Sequence, residues 1–396
     1  MASQDITPVG RDSASLLYDP KIRGYVFQIV AILVIAGFGY WIVNNTIANL
    51  QRAHLASGFG FLDGRSGFDI SSSPYLTYSS DSTYLTALWV GILNTLTVAV
   101  VGIITATIIG FIVGVGRLSH NWLIRKICTV YVEVFRNIPP LLVIFFWYSG
   151  VLSVLPQARQ SIPLPLHTYL NNRGFFFPAP IFGEGAWLAA VGLLVGIVGT
   201  FLVRRWAYKR QMATGQQFPV GWTALALIIG LPILALAIKG FPLTFDPPIL
   251  GAFNLKGGTV VGPEFMSLYL ALSFYTAAFI AEIVRAGIRG VGKGQSEASH
   301  ALGLRAGPTT RLVVVPQAMR IIIPPLTSQY LNLTKNSSLA VAIGYPDLVA
   351  VGGTILNQTN RSIEVVAIWM VVYLSLSVLT SVFMNWFNAK MALVER

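Results

Sequence analysis

Charge is scarce in this chain. Asp, Glu, Lys and Arg make up only 11% of its 396 residues, and just 15 of those residues are acidic. A water-soluble chain carries about 25% charged residues, so this one cannot cover its surface in water. Cysteine is nearly absent too. Cys128 stands alone, which excludes a disulfide framework and any Cys-based metal or cluster site. His54, His120, His167 and His300 are scattered without ligand-like spacing, so no metal site is expected. Catalytic motifs are missing in the same way. GVGKGQS (290–296) has Gly294 where a phosphate loop needs Ser or Thr, and GRSGF (64–68) ends in Phe where a nucleophile elbow needs Gly. Nothing here hydrolyses ATP or forms a covalent intermediate, so any work must draw on a partner's energy.

What the chain has in excess is apolar material: 54% hydrophobic residues and a mean hydropathy of +0.67, gathered into discrete runs. Crossing the hydrocarbon takes roughly 20 apolar residues. Eight runs qualify: 25–44, 92–116, 127–149, 186–203, 221–239, 264–286, 323–345 and 364–386, with YLTALWVG (84–91) as an interfacial lead-in. The polar stretch before the first run is too long for a signal peptide and no A-x-A-like site follows, so that run reads as a retained anchor. The fold class expected is an all-α polytopic membrane protein.

Lys and Arg concentrate in the segments that fall inside if the N-terminus is cytoplasmic: Arg11, Lys21 and Arg23; Arg117, Arg125 and Lys126; Arg204, Arg205, Lys209 and Arg210; Arg285 to Arg320; Lys390 and Arg396. The asymmetry places both termini in the cytoplasm. It also explains the net charge of +12 without nucleic acid, because the positive charge is a topology signal. The opposite loops, 45–83 and 150–185, are rich in Gly, Ser, Pro and aromatics and read as ordered caps.

Spans four and five have almost no internal polar residues and belong at the periphery. Spans two, three, six and seven carry Asn94, Thr95, Glu133, Arg136, Asn137, Glu282, Asn332, Lys335 and Asn336. Polar groups in hydrocarbon need partners, so these spans belong inside a bundle or along a path. Glu133/Arg136 and Glu282/Arg285 sit three apart and form candidate intrahelical ion pairs near the membrane surface. Lys335, with Asn332, Asn336 and Ser337, lies about three turns beyond Pro324. Two readings stay open there: a functional polar gate or contact site, or an internal bond that holds a broken helix.

One segment between greasy spans is polar: EASHALGLRAGPTTRLVVVPQ, residues 297–317. Gly303 is placed to end a short helix in the left-handed conformation, and Gly307-Pro308 restarts another. Ala298, Ala301 and Leu302 make a small apolar knob flanked by Glu297 and Arg305. On physics alone, an amphipathic helix on the inner leaflet remains an alternative.

Glu297-Ala298-Ser299, Gly303 and Val313-x-Val315-Pro316 resemble the EAA loop of ABC importer permeases, in which E-A-A, three residues, G, nine residues and I-x-L-P follow one another. Ser299, Val313 and Val315 are conservative departures. Residues 90–150 and 263–387 are similar to the polar amino-acid branch of these permeases, and the added spans most resemble the Q-type subunit of general L-amino-acid importers. The resemblance implies a five-helix type-1 importer core plus three added spans. It divides the chain into a cytoplasmic N-terminus, first anchor and outer loop at 1–83, a permease domain at 88–387 with a helix pair inserted at about 156–262, and a cytoplasmic tail at 388–396. It further implies that Glu297, Ala298, Ser299, Ala301, Leu302, Gly303, Arg305 and Pro316 form the loop that docks on an ATPase. The expected partners are a second permease, two cytoplasmic ATPase subunits and a periplasmic amino-acid-binding protein in a bacterial inner membrane. ATP and Mg would sit on the ATPase, this chain binding no cofactor. The rival class is an ion-coupled secondary transporter.

Overall fold

The computed structural model describes residues 20–52, 58–238, 240–251 and 254–391. The N-terminal segment with Arg11, Lys239, and the end of the C-terminal tail with Arg396 lie outside the described residues. Among the described residues six helices are long and apolar enough to cross a membrane, or up to eight if each of two bent helix pairs is one span.

The core is built on α7 (Pro263–Arg289), which starts on a Pro at its first position, the one place in a helix where a missing N–H is harmless. Around it pack α2 (Tyr84–Gly116), α3 (Trp122–Asn137), α4 (Pro140–Phe145, continued by a π turn to Leu152) and α10 (Val315–Asn336). Glycines set the closest approach. A Cβ at Gly110 would stand 2.5 Å from Ile280 Cγ2, and one at Gly114 would stand 2.7 Å from the Ala281 carbonyl oxygen. These two positions bring α2 onto α7, as small residues do between membrane helices.

α2 begins earlier than its apolar run suggests. Residues 84–91 are its first two turns, capped by the Thr83 side chain, which accepts from the Thr86 N–H. Ala87 and Leu88 there are buried against Leu348, Ile355 and Val365. Leu348 and Ile355 belong to α11 (Leu348–Thr359), a helix the hydropathy pattern missed because its 12 residues are too few to span. With α10 it forms a bent helix pair. α10 runs into a tight 3-10 turn at Ser337–Ile343, Gly344 takes φ 76°, and Asp347 caps α11 by accepting from Ala350 N–H. The two halves meet at 53°.

The third crossing is bent as well. Ile138 is forced extended by the proline that follows it, and α3 and α4 meet at 110°. Asn137 Nδ2 donates to the Glu133 carbonyl across this end, 2.7 Å away. The last core helix, α12 (Ser362–Met391), packs on α10 and α11.

The remaining spans stand apart. α1 (Pro20–Arg52) has none of its apolar window buried within the chain. α5 (Trp187–Thr214) and α6 (Val220–Ile238) pack chiefly on each other, with Gly192 and Gly196 against the α6 backbone at Leu231 and Leu227. The segments flanking this pair hold short strands that the expectation of an all-helical chain did not include. β1 (Ile162–Leu164), β2 (Thr168–Asn171), β3 (Gly174–Phe177) and β8 (Thr259–Val261) form one antiparallel sheet. β4 (Ala179–Phe182) pairs with β5 (Leu243–Asp246), and β6 (Ile249–Leu250) with β7 (Leu255–Lys256). At two to four residues each, these strands are too short to show a period-2 pattern.

Candidate functional site

The polar segment folds as a bent hairpin. α8 (Lys293–Ala301) ends at Leu302, and Gly303 adopts φ 78°. Leu304 N–H then donates to the Ser299 carbonyl at 3.1 Å and Gly303 N–H to the His300 carbonyl at 2.9 Å. This pair of bonds is the Schellman arrangement, which satisfies carbonyls a helix end leaves open. α9 (Ala306–Thr309) follows and passes through a π turn at Thr310–Val314 into α10, with Pro316 in its first turn.

The hairpin has two faces. Ser299 is buried, its hydroxyl donating to the Gln295 carbonyl, while Gln317 of α10 donates to the Gln295 side chain. Glu297, Ala298, Ala301, Gly303 and Arg305 are exposed. Leu302 is 82% exposed, and with the exposed Ala298 and Ala301 it makes the apolar part of the outward face. The Gln295–Gln317 bond ties the inner face to α10, and α10 packs on α7 a few residues away, where Gly287 and Gly290 lie against Ile322 and Ile321. A force on the hairpin therefore reaches α7 and α10 together.

The charged residues differ from expectation. Glu282 and Arg285 pair along α7, but Glu133 and Arg136 turn away from each other. Glu133 lies 3.7 Å from Arg117, and Arg136 lies 4.0 Å from Glu282 and over the Phe279 ring. Arg117 also binds Glu282 directly. The cause is the end of α2. Gly114 and Gly116 let it close on α7 and on Cys128 of α3, which lands the Arg117 guanidinium between the two carboxylates. The pairs expected within single helices thus become one cluster joining α2, α3 and α7, with Glu282 at its centre.

The four candidate pathway residues separate. Asn332 and Asn336 line a cavity of about 260 Å³ with Pro140, Tyr275, Thr276, Phe279 and Gln329. Ser337 is buried and donates to the Thr334 carbonyl, so it secures the helix break. Lys335 is exposed on the adjacent face of α10 and makes no ion pair among the described residues. A second cavity of about 460 Å³, lined by Ser72, Tyr148, Arg173, Glu264, Phe265 and Tyr345 among others, lies toward the other end of the same elements. From Phe265 to Tyr275 along α7 is about 15 Å. Between the cavities the core is packed with apolar side chains, Val143, Ile144, Leu268, Leu272, Ala340 and Ile343 among them. This second cavity was not foreseen. Arg173 and Glu264 are far apart in sequence, and the pairing of β3 with β8 brings the β2–β3 turn beside the start of α7.

Residues 205–393 match the family described as binding-protein-dependent transport system inner membrane component. Over the whole chain the likeness is stronger. The general L-amino acid transport system permease protein AapQ of Rhizobium johnstonii is 68% identical over 99% of this chain and 98% of its own length. The chain belongs to the permease subunits of binding-protein-dependent ABC transporters. The putative amino-acid ABC transporter permease YhdX of Escherichia coli is 48% identical over 96% of both chains. BztB of Rhodobacter capsulatus, a glutamate/glutamine/aspartate/asparagine transport system permease, is 40% identical over 100% of this chain and 99% of its own. This permease is a non-enzymatic inner-membrane subunit of an importer, and the ion-coupled secondary transporter is set aside. The family profile starts inside α5, leaving the 90–150 resemblance to the whole-chain relatives.

Proposed function

We propose that this permease takes up L-amino acids by alternating access, with a second permease chain, two cytoplasmic ATPase subunits and a periplasmic binding protein. The observation that carries the coupling is the exposed Leu302 knob, held by a left-handed glycine on a hairpin whose other face is bonded to α10, which in turn lies against α7. Closure of the ATPases would push the hairpin, tilt these helices and open one cavity as the other shuts. ATP and Mg would stay on the ATPases. Both termini would be cytoplasmic, so the permease domain, its inserted pair and the tail keep the assignment made from sequence.

Lys335 supports a second permease chain. An exposed ammonium deep in a span is stable only beside water, a carboxylate or carbonyls, so its face of α10 would be covered by the partner permease or line the path between them. The reading is tested by ATP-driven uptake of a labelled amino acid into proteoliposomes holding the full complex and its binding protein. Uptake without ATP, driven by an ion gradient, would contradict it.

Two further results are expected. Asn332→Leu should occlude the 260 Å³ cavity and cut uptake about tenfold, the effect of roughly 1.4 kcal/mol, while complex yield and basal ATPase activity hold. Loss of the complex instead would make Asn332 structural. A topology reporter fused after Arg210 should report the cytoplasm and one within 160–180 the periplasm; the reverse pattern would invert the orientation.

A further inference from the structure

The inserted hairpin ends in an arrangement that the proposed coupling route does not involve. The β4–β5 ladder, from Ala179↔Asp246 to Phe182↔Leu243, closes its base. Beyond that base the helices meet lipid, since 6% of the apolar window of α5 and none of that of α6 is buried in the chain. The helices differ in length. α5 has 28 residues, about 42 Å, and α6 has 19, about 28 Å. With Gly196 opposite Leu227, everything past Arg204 on α5 runs beyond the start of α6 at Val220.

That overhang carries Arg204, Arg205, Lys209 and Arg210 soon after the exposed Phe201 and Leu202. At 100° per residue, Arg204, Arg205 and Lys209 fall within about 140° of one another, on one side of the helix with Tyr208 between them. All three cations are exposed. Arg210 lies over the Trp206 ring at 5.4 Å and donates to Gln216. No acidic residue occurs between Glu184 and Asp246, and none of the four cations is in an ion pair among the described residues. Trp206, Tyr208 and Trp222 are exposed at the same end.

We propose that this tip is a binding site for the phosphate headgroups of anionic phospholipids, fixing the inserted hairpin beside the transport core. The position selects lipid over an acidic protein: the cations continue a surface that lipid already covers, at the depth where aromatic side chains settle among headgroups. A topology signal alone requires net charge on a loop. It does not require three cations on one helical face with a tyrosine between them and no carboxylate near. Each cation close to an anionic surface strengthens binding about fivefold, and the gain is screened by salt. The proposal does not depend on the transport reading.

The test places a photo-crosslinking residue at Tyr208 in the full complex, in membranes that mix phosphatidylglycerol with phosphatidylcholine. All four cations stay in place, so topology is unchanged. Adducts enriched in phosphatidylglycerol over its bulk fraction, with the enrichment lost between about 0.1 M and 1 M salt, are the expected result. Removing two cations as Arg204→Gln/Arg205→Gln should lower the relative binding constant for phosphatidylglycerol by roughly 25-fold, two steps of about fivefold, and bring the adducts down to bulk composition. Excess soluble glycerol phosphate should leave it unchanged. Adducts that follow bulk lipid composition, adducts to a protein subunit, or competition by free glycerol phosphate would each overturn the proposal. If the double variant fails to insert, the salt series on the unmutated cations decides alone.

Discussion

Gly303→Val should uncouple ATP hydrolysis from uptake while the chain still inserts in the membrane. Nothing lies within 4 Å of where the new Cβ would stand, so no steric clash is involved. The penalty is the backbone. φ is 78° there, a region a β-branched residue enters at a cost of about 1–3 kcal/mol. At about 2 kcal/mol the bent conformer falls roughly thirtyfold, and α8 loses the turn that presents Leu302. Gly303→Asn should be much milder, because Asn visits the left-handed region readily. Uptake assays on both variants check this. Equal uptake by Val, Asn and the unmutated protein would show that the bend carries no motion.

Glu282→Gln should cost folded complex more than any other single charge removal. It would leave Arg117, Arg136 and Arg285 around a neutral amide, and Arg117 is only 10% exposed. Breaking a buried pair costs about 3–5 kcal/mol; Glu282 is a quarter exposed, so about 2–3 kcal/mol is the expectation after screening. Glu133→Gln, whose side chain is 55% exposed, should cost under about 1 kcal/mol. Thermal unfolding and yield of the purified complex measure both. The double variant Glu282→Gln/Arg117→Gln should be more stable than the sum of its single changes predicts, because it removes the most buried orphan along with its partner. Additive losses would mean that Arg117 and Glu282 do not act as a pair.

These two sites also show how legible the chain was. Gly303 could be read because its conformation is local: a glycine after two helical turns, followed by Gly307-Pro308, leaves few alternatives. The eight crossings could be read because bilayer thickness imposes a length on each apolar run. The Glu282 cluster could not be read fully, since its geometry depends on how closely Gly114 and Gly116 let α2 approach its neighbours. Intrahelical spacing suggests Glu133 with Arg136, but Arg117 comes from another helix and wins Glu133. α11 and the short strands failed for a simpler reason. Each is stabilised by a tertiary partner, as Leu348 is by Ala87 and Leu88, and none is long enough to declare itself alone. The split between Asn332 and Lys335 follows the same rule, for only the packing of α7 and α4 on α10 decides which face holds the cavity.

The most direct measurement is a cysteine at Leu302, reacted in the assembled complex with a short bifunctional reagent. If the hairpin docks on the ATPase, Leu302→Cys crosslinks to that subunit, and the yield changes when ATP is bound and then hydrolysed. If α8 instead lies on the inner leaflet, the same cysteine is labelled by membrane-soluble reagents, forms no crosslink to the ATPase at any stage of the cycle, and the coupling role fails.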